Sequence, residues 1–499
     1  MFNQKLGIMK DKIQLRKFIV AISTALLICV VAFGQKTERP NVVFMVADNV
    51  GYGDVGGAFQ GGEIRGMPTP RLDKLQSEGL VLTQFITEAG CTPSRAGLLT
   101  GRYAHRCGLG SIVVVGTPST LKDEEITMAE LFKSVGYNTA ITGKWHVGQE
   151  EQSQPVNQGF DEYRVGVLNS SDGCYYRGHM ERMGLPEQLI AKTAPKIWEG
   201  DAENGMKVVR EYTLDYRKQV EADITNASID FINELSKEKE PFFLYVGFTN
   251  SHYPCLSAPE FTGVSPVGPY GDAIMELDYR TGEILDAIKN AGIEDNTIVV
   301  WISDDGASPN TGPPQDIGGF NGMWIGDLGD GREGALRTPA MIKWPEKIAP
   351  RNSNGMVSIH DFYTTLGNII GAEIPADRAI DGVDQTDFFL GKQENSSRTS
   401  MITFLGNEIV AVRWNHFRIY PKQFIETEGN PVMTGIFGAR TETNLYPIVI
   451  NIFKDPREQH NIAADNAFVI GPYLQVIGAY KKSVAQYPVP KPFSMTKFD

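Results

Sequence analysis

The sequence predicts an α/β fold, in which helices sandwich a large mixed, mostly parallel sheet and a smaller C-terminal α+β domain follows. Strand-like and helix-like segments alternate through the first two-thirds of the 499 residues. Hydrophobic residues make up 41% of the chain and charged residues 21%, which is typical of a globular protein. After a polar, turn-rich stretch, short strands dominate. We therefore divide the folded part into a large domain over residues 35–385 and a smaller one over residues 386–499.

Turn, cap and periodicity signals predict the elements in order. The short apolar run at 41–47 is typical of a buried strand. The pair Thr69-Pro70 begins a helix, with threonine as N-cap and proline as the first helical residue. Thr127 begins another through a capping box. Further strands are expected over 137–142, 242–249, 297–303, 409–414 and 446–453, and further helices over 221–236 and 272–291.

The N-terminus resembles a secretory signal over residues 1–34. Basic residues precede an apolar run at 18–33, and small residues follow it. The run is shorter than the roughly 20 residues that cross a membrane, so cleavage is favoured over a permanent span. Ile28 and Val30 are poor neighbours for lipid anchoring at Cys29. We expect an exported protein, periplasmic or secreted.

Composition limits the partners and the redox chemistry. With 47 basic and 60 acidic residues the net charge is −13, which argues against a nucleic-acid binder. Removal of the signal leaves four cysteines, too few for a disulfide framework. If Cys91 is chemically modified, Cys107, Cys174 and Cys255 form an odd set that allows at most one bridge.

Four predicted strands run directly into polar residues that can do chemistry. In open α/β sheets, ligands bind beyond the carboxyl ends of the strands. We therefore expect these groups to converge on one rim of the sheet. They are Asp48-Asn49, Lys144 with His146, His252, and Asp304-Asp305.

The segment Cys91-Thr-Pro-Ser-Arg95 has the features of an anion site with a reactive side chain. Pro93 suits the first turn of a helix and Gly101 suits its C-terminal stop. Cys91 is then expected just outside a helix N-terminus, where backbone N–H groups favour negative charge. Arg95 can add a bidentate grip on a tetrahedral oxyanion.

This run, with Leu-Thr-Gly-Arg downstream, resembles the signature of the type I sulfatases, the arylsulfatase-like branch of the alkaline-phosphatase superfamily. The resemblance covers most of residues 40–345 and implies an alkaline-phosphatase-like fold. It also implies that a maturation enzyme oxidises Cys91 to formylglycine, an aldehyde held as its hydrate. By this resemblance, one hydroxyl of the hydrate attacks the sulfur of a sulfate ester, and the second expels the sulfate.

The resemblance also implies a metal site. Two adjacent pairs, Asp48-Asn49 and Asp304-Asp305, offer oxygen ligands, and the modified Cys91 completes the set. Adjacent carboxylates repel each other unless a cation offsets the repulsion. Oxygen donors favour Ca²⁺ or Mg²⁺, and the family favours Ca²⁺. The family usually has Asp-Asp early and Asp-Asn late; the reversed order here keeps three carboxylates and one amide.

By the same resemblance, four further residues are expected to bind the sulfate or to transfer protons. Lys144 and Arg95 are expected to bind sulfate oxygens, and His146 to hydrogen-bond a formylglycine hydroxyl and help release its proton. His252 is expected to position the sulfate or to protonate the leaving alcohol.

One departure from the family pattern affects the sulfate pocket. The family commonly has a further lysine that reaches the sulfate, and Leu328 stands at the matching position here. Arg332 is a candidate replacement from a different backbone position.

Two other functions stay open from the sequence. A phosphomonoester or phosphonate-ester hydrolase would share the fold, the metal ligands and even formylglycine. A non-catalytic glycan-binding protein on the same scaffold is supported by Leu328 and Asn49 and opposed by the intact Cys91. The sulfated substrate, whether aryl or sugar, and the oligomeric state cannot be read from the sequence.

Overall fold

The computed structural model describes residues 39–308, 318–425 and 440–491, and the described residues from Asn41 onwards belong to one compact unit. The predicted export signal lies outside the described residues. The strands are β1 Asn41–Ala47, β2 Leu80–Leu82, β3 Phe85–Ile86, β4 Asn138–Lys144, β5 Glu162–Val167, β6 Lys196–Asp201, β7 Gly205–Glu211, β8 Phe242–Gly247, β9 Thr297–Ser303, β10 Arg337–Thr338, β11 Ala340–Lys343, β12 Arg351–Ser353, β13 Val357–Ser358, β14 Ser400–Leu405, β15 Glu408–Trp414, β16 Phe417–Ile425 and β17 Arg440–Asn451.

The α-helices of the described residues connect and cover these strands. They are α1 Pro70–Glu78, α2 Cys91–Thr100, α3 Met128–Ser134, α4 Tyr176–Arg182, α5 Glu187–Thr193, α6 Leu214–Arg217, α7 Val220–Leu235, α8 Pro269–Asn290, α9 Glu333–Leu336, α10 Asp361–Ile370, α11 Thr386–Phe389 and α12 Ile470–Gln486.

Ten strands form one large mixed sheet in the order β12-β2-β11-β9-β1-β8-β4-β5-β6-β7. The five central strands, from β9 to β5, are parallel to one another. The antiparallel pairs lie towards the two sides, where β11 pairs with β9 and β2, and β6 pairs with β5 and β7. The predicted mixed, mostly parallel sheet is confirmed.

Strand β1 shows why helices cover both faces of this sheet. Its alternate residues Val42 and Phe44 pack in a cluster with side chains of α2, α3 and α10. The intervening Val43 and Met45 pack in a second cluster with side chains of α1, α7 and α8. Because successive side chains of a strand point to opposite faces, a strand that is apolar throughout is buried on both.

The predicted strand and helix ends lie within three residues of the observed ends, except that β17 begins at Arg440 rather than at 446. Pro70 is the first residue of α1, and the capping box joins Thr127 to Glu130 at the start of α3. The predicted strand at 297–303 has the bounds of β9. Helix α2 differs slightly, because Cys91 is its first residue rather than a residue just outside it. Gly101 ends α2 with φ of 67°, the left-handed conformation that glycine adopts without strain.

A small sheet joins β10, β3 and β13, and a separate four-stranded antiparallel sheet of β14, β15, β16 and β17 follows in the chain. It provides the smaller C-terminal α+β part, although the boundary at residue 385 stays a prediction. Within the described ranges, no helix has the length and apolar character needed to span a bilayer. Cys91, Cys107, Cys174 and Cys255 are all buried, and none of the four is joined in a disulfide, so the one bridge that the sequence allowed is not formed.

Candidate active site

The polar residues that follow β1, β4, β8 and β9 meet at one rim of the large sheet. These four strands are neighbours in the sheet, and all run in the same direction. The backbone N–H of Asp48 donates to Asn250 O at 2.9 Å, and that of Asp304 donates to Ala47 O at 3.1 Å. The expected convergence of the strand ends is therefore present in the structure.

Helix α2 brings Cys91 to this rim and is tied to the end of β4. The hydroxyl of Thr92 donates to His146 O at 2.9 Å and accepts from the N–H of Val113 at 3.1 Å. Cys91 is 4% exposed and belongs to none of the apolar clusters of the described residues. Burial raises the pKa of its thiol, and Asp305 opposes the lowering effect of Lys144. An unmodified Cys91 would thus stay a thiol at neutral pH, a weak nucleophile.

Arg95 lies one turn further along α2 and is completely buried. Its Nε donates to Asp304 Oδ2 at 2.9 Å, and its Nη1 donates to Lys144 O at 3.0 Å and to the Tyr245 hydroxyl at 3.3 Å. One guanidinium therefore connects the ends of β9 and β4 with a side chain inside β8. The contacts fix the position of Arg95 near the N-terminal end of its helix.

Lys144 and Asp48 form a completely buried ion pair. Lys144 Nζ lies 2.8 Å from Asp48 Oδ1 and 2.7 Å from Oδ2. Burial alone would raise the pKa of Asp48, but Lys144, His252 and Arg95 outweigh burial and hold it at about 2. The hydroxyl of Ser171 also donates to Asp48 Oδ2 at 3.3 Å. Asp48 is therefore a carboxylate at neutral pH.

Asp304 and Asp305 add two more buried carboxyl groups, and Asp305 is unpaired. Neither carboxyl oxygen of Asp305 has a hydrogen-bond partner among the described residues, and the same is true of Asn49 Oδ1. Burial raises the pKa of Asp305 well above its ordinary value, and the charges of Asp304 and Asp48 raise it further. Burying an unpaired carboxylate is costly, so this position calls for a positive charge.

The described residues contain no group of three or more Asp, Glu, His or Cys side chains that could hold a metal ion. Asp48 forms an ion pair with Lys144, and Asp304 forms one with Arg95. These two carboxylates therefore contact side-chain cations in this structure. The donor types nevertheless suit a hard cation, because carboxylate and amide oxygens are the ligands of Ca²⁺. The unpartnered oxygens of Asp305 and Asn49 are the atoms with spare ligand capacity.

His146 lies in the same cluster, with φ of 62° and complete burial. Its Nε2 donates to Val113 O at 3.1 Å, since a carbonyl can only accept, and Nδ1 has no partner among the described residues. Burial lowers the pKa of His146 well below its ordinary value, and Lys144 and Arg95 lower it further. The ring is therefore neutral and offers the lone pair of Nδ1 as an acceptor.

His252 faces the same rim from the segment after β8. Its Nδ1 donates to Tyr253 O at 2.7 Å, which leaves Nε2 as the nitrogen 3.0 Å from the Ser170 hydroxyl. With 5% of its surface exposed, it is slightly more accessible than the completely buried Lys144 and His146. Nε2 is thus the atom that can exchange a proton with a bound molecule.

Arg332, the candidate replacement for the family lysine, pairs with a carboxylate of its own loop. Its guanidinium pairs with Asp330, Nε lying 2.6 Å from Oδ2, and its Cζ lies 6.0 Å from the centre of the Phe424 ring. Leu328 is buried, and its N–H donates to Ala307 O at 3.3 Å. A role of Arg332 in place of the family lysine stays a prediction.

Several residues that support this site were not expected from the sequence. Ser170 and Ser171 come soon after β5, so the strand-end rule that found Lys144 would also have found them. Tyr245 lies inside β8, where its hydroxyl looks like part of a core residue. Arg217 ends the short helix α6 among charged residues, a pattern typical of an exposed helix.

Known proteins are similar to this chain over most of its length. The Sulfatase family model matches residues 40–372. N-acetylgalactosamine-6-sulfatase of Canis lupus familiaris is 31% identical over 90% of this chain and 86% of its own. Arylsulfatase A of Homo sapiens is 30% identical over 90% of this chain and 89% of its own. The crystal structure of the PsFucS1 sulfatase from Pseudoalteromonas sp. has a TM-score of 0.85 and 29% identity, covering 92% of this chain and 93% of that one.

The range that the family model matches spans the large sheet and the rim where the polar residues meet, since Asp48, Cys91, Lys144, His252 and Asp305 all lie between residues 40 and 372. The fold is that of the alkaline-phosphatase-like sulfatases. The chain is therefore a hydrolase that acts on sulfate esters, and it belongs to the sulfatase family.

Proposed function

We propose that the chain hydrolyses its sulfate esters with a formylglycine made from Cys91 by a maturation enzyme, beside a bound divalent cation. The unpaired, buried carboxyl group of Asp305 carries this proposal. It lies in the electrostatic field of Asp304 and Asp48 and raises the pKa of the Cys91 thiol. Such a site disfavours a thiolate at position 91. It favours a bound cation and an uncharged side chain at that position.

The residues present fit that cation. Asp48, Asn49, Asp304 and Asp305 would hold it together with the modified residue 91, and three carboxylates with one amide favour Ca²⁺ over Mg²⁺. When bound, the cation supplies positive charge against the oxygens of the sulfate and of residue 91. Hydrated formylglycine would offer a hydroxyl group as the nucleophile, which an unmodified cysteine lacks.

The chain's own residues would then bind the sulfate and move two protons. Lys144 and Arg95 are buried cations near the start of α2 and would bind the sulfate oxygens. The unpartnered Nδ1 of His146 can accept the proton of a hydroxyl on residue 91. When both ring nitrogens of His252 are protonated, Nε2 can give its proton to the ester oxygen as the sulfur–oxygen bond breaks.

The local charge favours sulfate over phosphate. A sulfate monoester carries one negative charge, whereas a phosphate monoester carries close to two. Asp48 and Asp304 already pair with Lys144 and Arg95, so little positive charge of the side chains remains for a second negative charge. This balance supports a sulfuric ester hydrolase over the phosphomonoester or phosphonate-ester hydrolase that the sequence left open.

For the organic half of the substrate, we propose a sulfated sugar. The support comes from the relative named N-acetylgalactosamine-6-sulfatase, which is 31% identical over 90% of this chain. The signal-like N-terminus agrees with this, because export to the periplasm or the medium would place the enzyme where sulfated glycans occur.

The substrate proposal predicts a clear ranking of substrates. We expect kcat/KM for 4-nitrophenyl sulfate to exceed that for 4-nitrophenyl phosphate by about a hundredfold or more, since each added charge must be met by the pocket. We also expect N-acetylgalactosamine carrying sulfate at O6 to be cleaved in a panel of monosaccharides sulfated at defined positions. Faster turnover of the phosphate would contradict the choice of sulfate, and cleavage of the aryl ester alone would contradict the sugar.

A further inference from the structure

The segment that carries His252 is held by one buried side chain, Arg217 at the end of α6. Its Nη2 lies 3.1 Å from His252 O, 2.8 Å from Asn250 Oδ1 and 3.3 Å from Thr249 O. All three acceptors lie in the few residues between β8 and the imidazole. Arg217 therefore fixes the backbone from which the His252 ring projects.

Two helices also contact the same segment. Glu221 on α7 accepts the N–H of Thr249 at 2.8 Å through Oε1. On α8, Glu276 lies 3.4 Å from Asn250 Nδ2, and Ala273 O lies 3.3 Å from it. With Arg217 these contacts surround the peptide groups before His252, and the imidazole Nδ1 is bonded to the next carbonyl, Tyr253 O. A displaced backbone would therefore displace Nε2 as well.

Stability alone does not explain this arrangement. The guanidinium of Arg217 is completely buried, yet its Nε and Nη1 have no hydrogen-bond partner in the described part of the chain. Glu221 is 3.7 Å away and also has one unpartnered oxygen, Oε2. A buried ion pair with unsatisfied atoms often stabilises a protein less than apolar side chains of the same size. Unfavourable arrangements of this kind are expected at functional sites.

We infer that Arg217 is a positioning residue for catalysis: it holds Nε2 of His252 in line with the ester oxygen that leaves. The inference rests on the proposed role of His252 as the proton donor. In that step the bond from sulfur to the ester oxygen breaks and leaves its electron pair on that oxygen. His252, protonated on both ring nitrogens, passes its Nε2 proton to the departing oxygen and keeps the Nδ1 proton on Tyr253 O. The need for this proton depends on the leaving group, because a nitrophenolate leaves readily without it and a sugar alkoxide does not.

The test compares Arg217→Lys with the wild type on two substrates, 4-nitrophenyl sulfate and a sugar sulfate that the wild type cleaves. Lysine keeps the charge beside Glu221, but its shorter side chain does not reach the three oxygens. We expect kcat for the sugar sulfate to fall about tenfold to a hundredfold, and kcat for the aryl sulfate by less than about threefold. The neighbouring exposed Lys218→Gln is the control and should match the wild type on both substrates. An equal loss on both substrates would overturn the inference.

His252→Gln separates this inference from the proposed function on which it rests. If His252 is the proton donor, its loss also affects the sugar sulfate selectively, and adding Arg217→Lys causes little further loss. If His252→Gln lowers kcat for the sugar sulfate only, but adding Arg217→Lys lowers it by a further full factor, the role of Arg217 is overturned and that of His252 is kept. If His252→Gln lowers kcat equally for the aryl sulfate and the sugar sulfate, His252 is not the proton donor, and the inference about Arg217 is overturned with it. Should Arg217→Lys not fold, Arg217→Met combined with Glu221→Gln removes both charges and is subjected to the same comparison.

Discussion

Replacing Cys91 with alanine is expected to abolish sulfate ester hydrolysis while the protein stays folded. Loss of a covalent nucleophile typically lowers kcat by about a millionfold. The melting temperature should change little, since the Cys91 side chain is small and contributes to none of the apolar clusters of the described residues. Activity and thermal melting of the purified variant check both halves of the prediction.

Cys107→Ala is the matched control for this variant. Cys107 is also a buried free thiol, but it belongs to the main apolar cluster and lies 3.5 Å from the Thr100 hydroxyl. We expect its replacement to lower stability modestly and to leave kcat unchanged. A tryptic peptide over residues 75–95 of the wild type should in addition be about 18 Da lighter than the unmodified sequence, which is the change from thiol to aldehyde. Full activity of Cys91→Ala would refute a catalytic role of residue 91.

The largest loss of stability is expected for Glu333→Gln. Glu333 is completely buried, and its carboxylate accepts from Arg337 at 2.9 Å, from Arg413 at 2.8 Å and from Arg418 at 3.0 Å. These arginines lie on β10, β15 and β16, so one carboxylate joins the C-terminal sheet to the region after α9. A glutamine would leave three buried guanidinium groups without their counter-charge, at a cost of about 3–5 kcal/mol. Urea unfolding followed by tryptophan fluorescence measures it.

The same carboxylate predicts a pH dependence. Burial alone would raise the pKa of Glu333, but Arg413, Arg337 and Arg418 outweigh burial and lower it from 4.5 to about 2. A lowered pKa in the folded state gives stability that is complete above pH 4.5 and is lost as the pH falls towards 2. The difference in unfolding free energy between wild type and Glu333→Gln should therefore shrink across that range. A difference that stays constant with pH would contradict this account.

Glu408→Gln is the control for the buried carboxylate. Glu408 pairs with Lys422 across β15 and β16, the strands that carry Arg413 and Arg418, but its side chain is 63% exposed. Exposed ion pairs contribute about 0–1 kcal/mol, so this variant should unfold close to the wild type. A loss as large as that of Glu333→Gln would show that burial does not set the size of the effect.

Local sequence signals predicted much of the fold because they act over a few residues. The apolar run of β1, the capping box at Thr127 and the proline at the start of α1 each fix an element through its own backbone chemistry. The same signals placed polar residues at strand ends, and the parallel arrangement of the central strands brought those ends together.

Residues that act through distant partners were beyond the reach of such signals. Arg217 and Glu333 look like ordinary charged helix residues, and only the fold shows that they are buried among acceptors or guanidinium groups. In the sequence, Tyr245 resembles a core residue of a buried strand, and only the fold shows that its hydroxyl contacts Arg95. Pairings of this kind depend on how elements far apart in sequence pack, and no local pattern encodes them.

A crystal structure of the mature protein grown with Ca²⁺ tests the central proposal most directly. We expect one ion with the oxygens of Asp48, Asn49, Asp304 and Asp305 at about 2.3–2.6 Å, and an oxidised side chain at residue 91 beside it. In such a structure, the now unpartnered oxygens of Asp305 and Asn49 would become ligands. Density without an ion between these side chains, or with the side chains turned away from one another, would contradict the account.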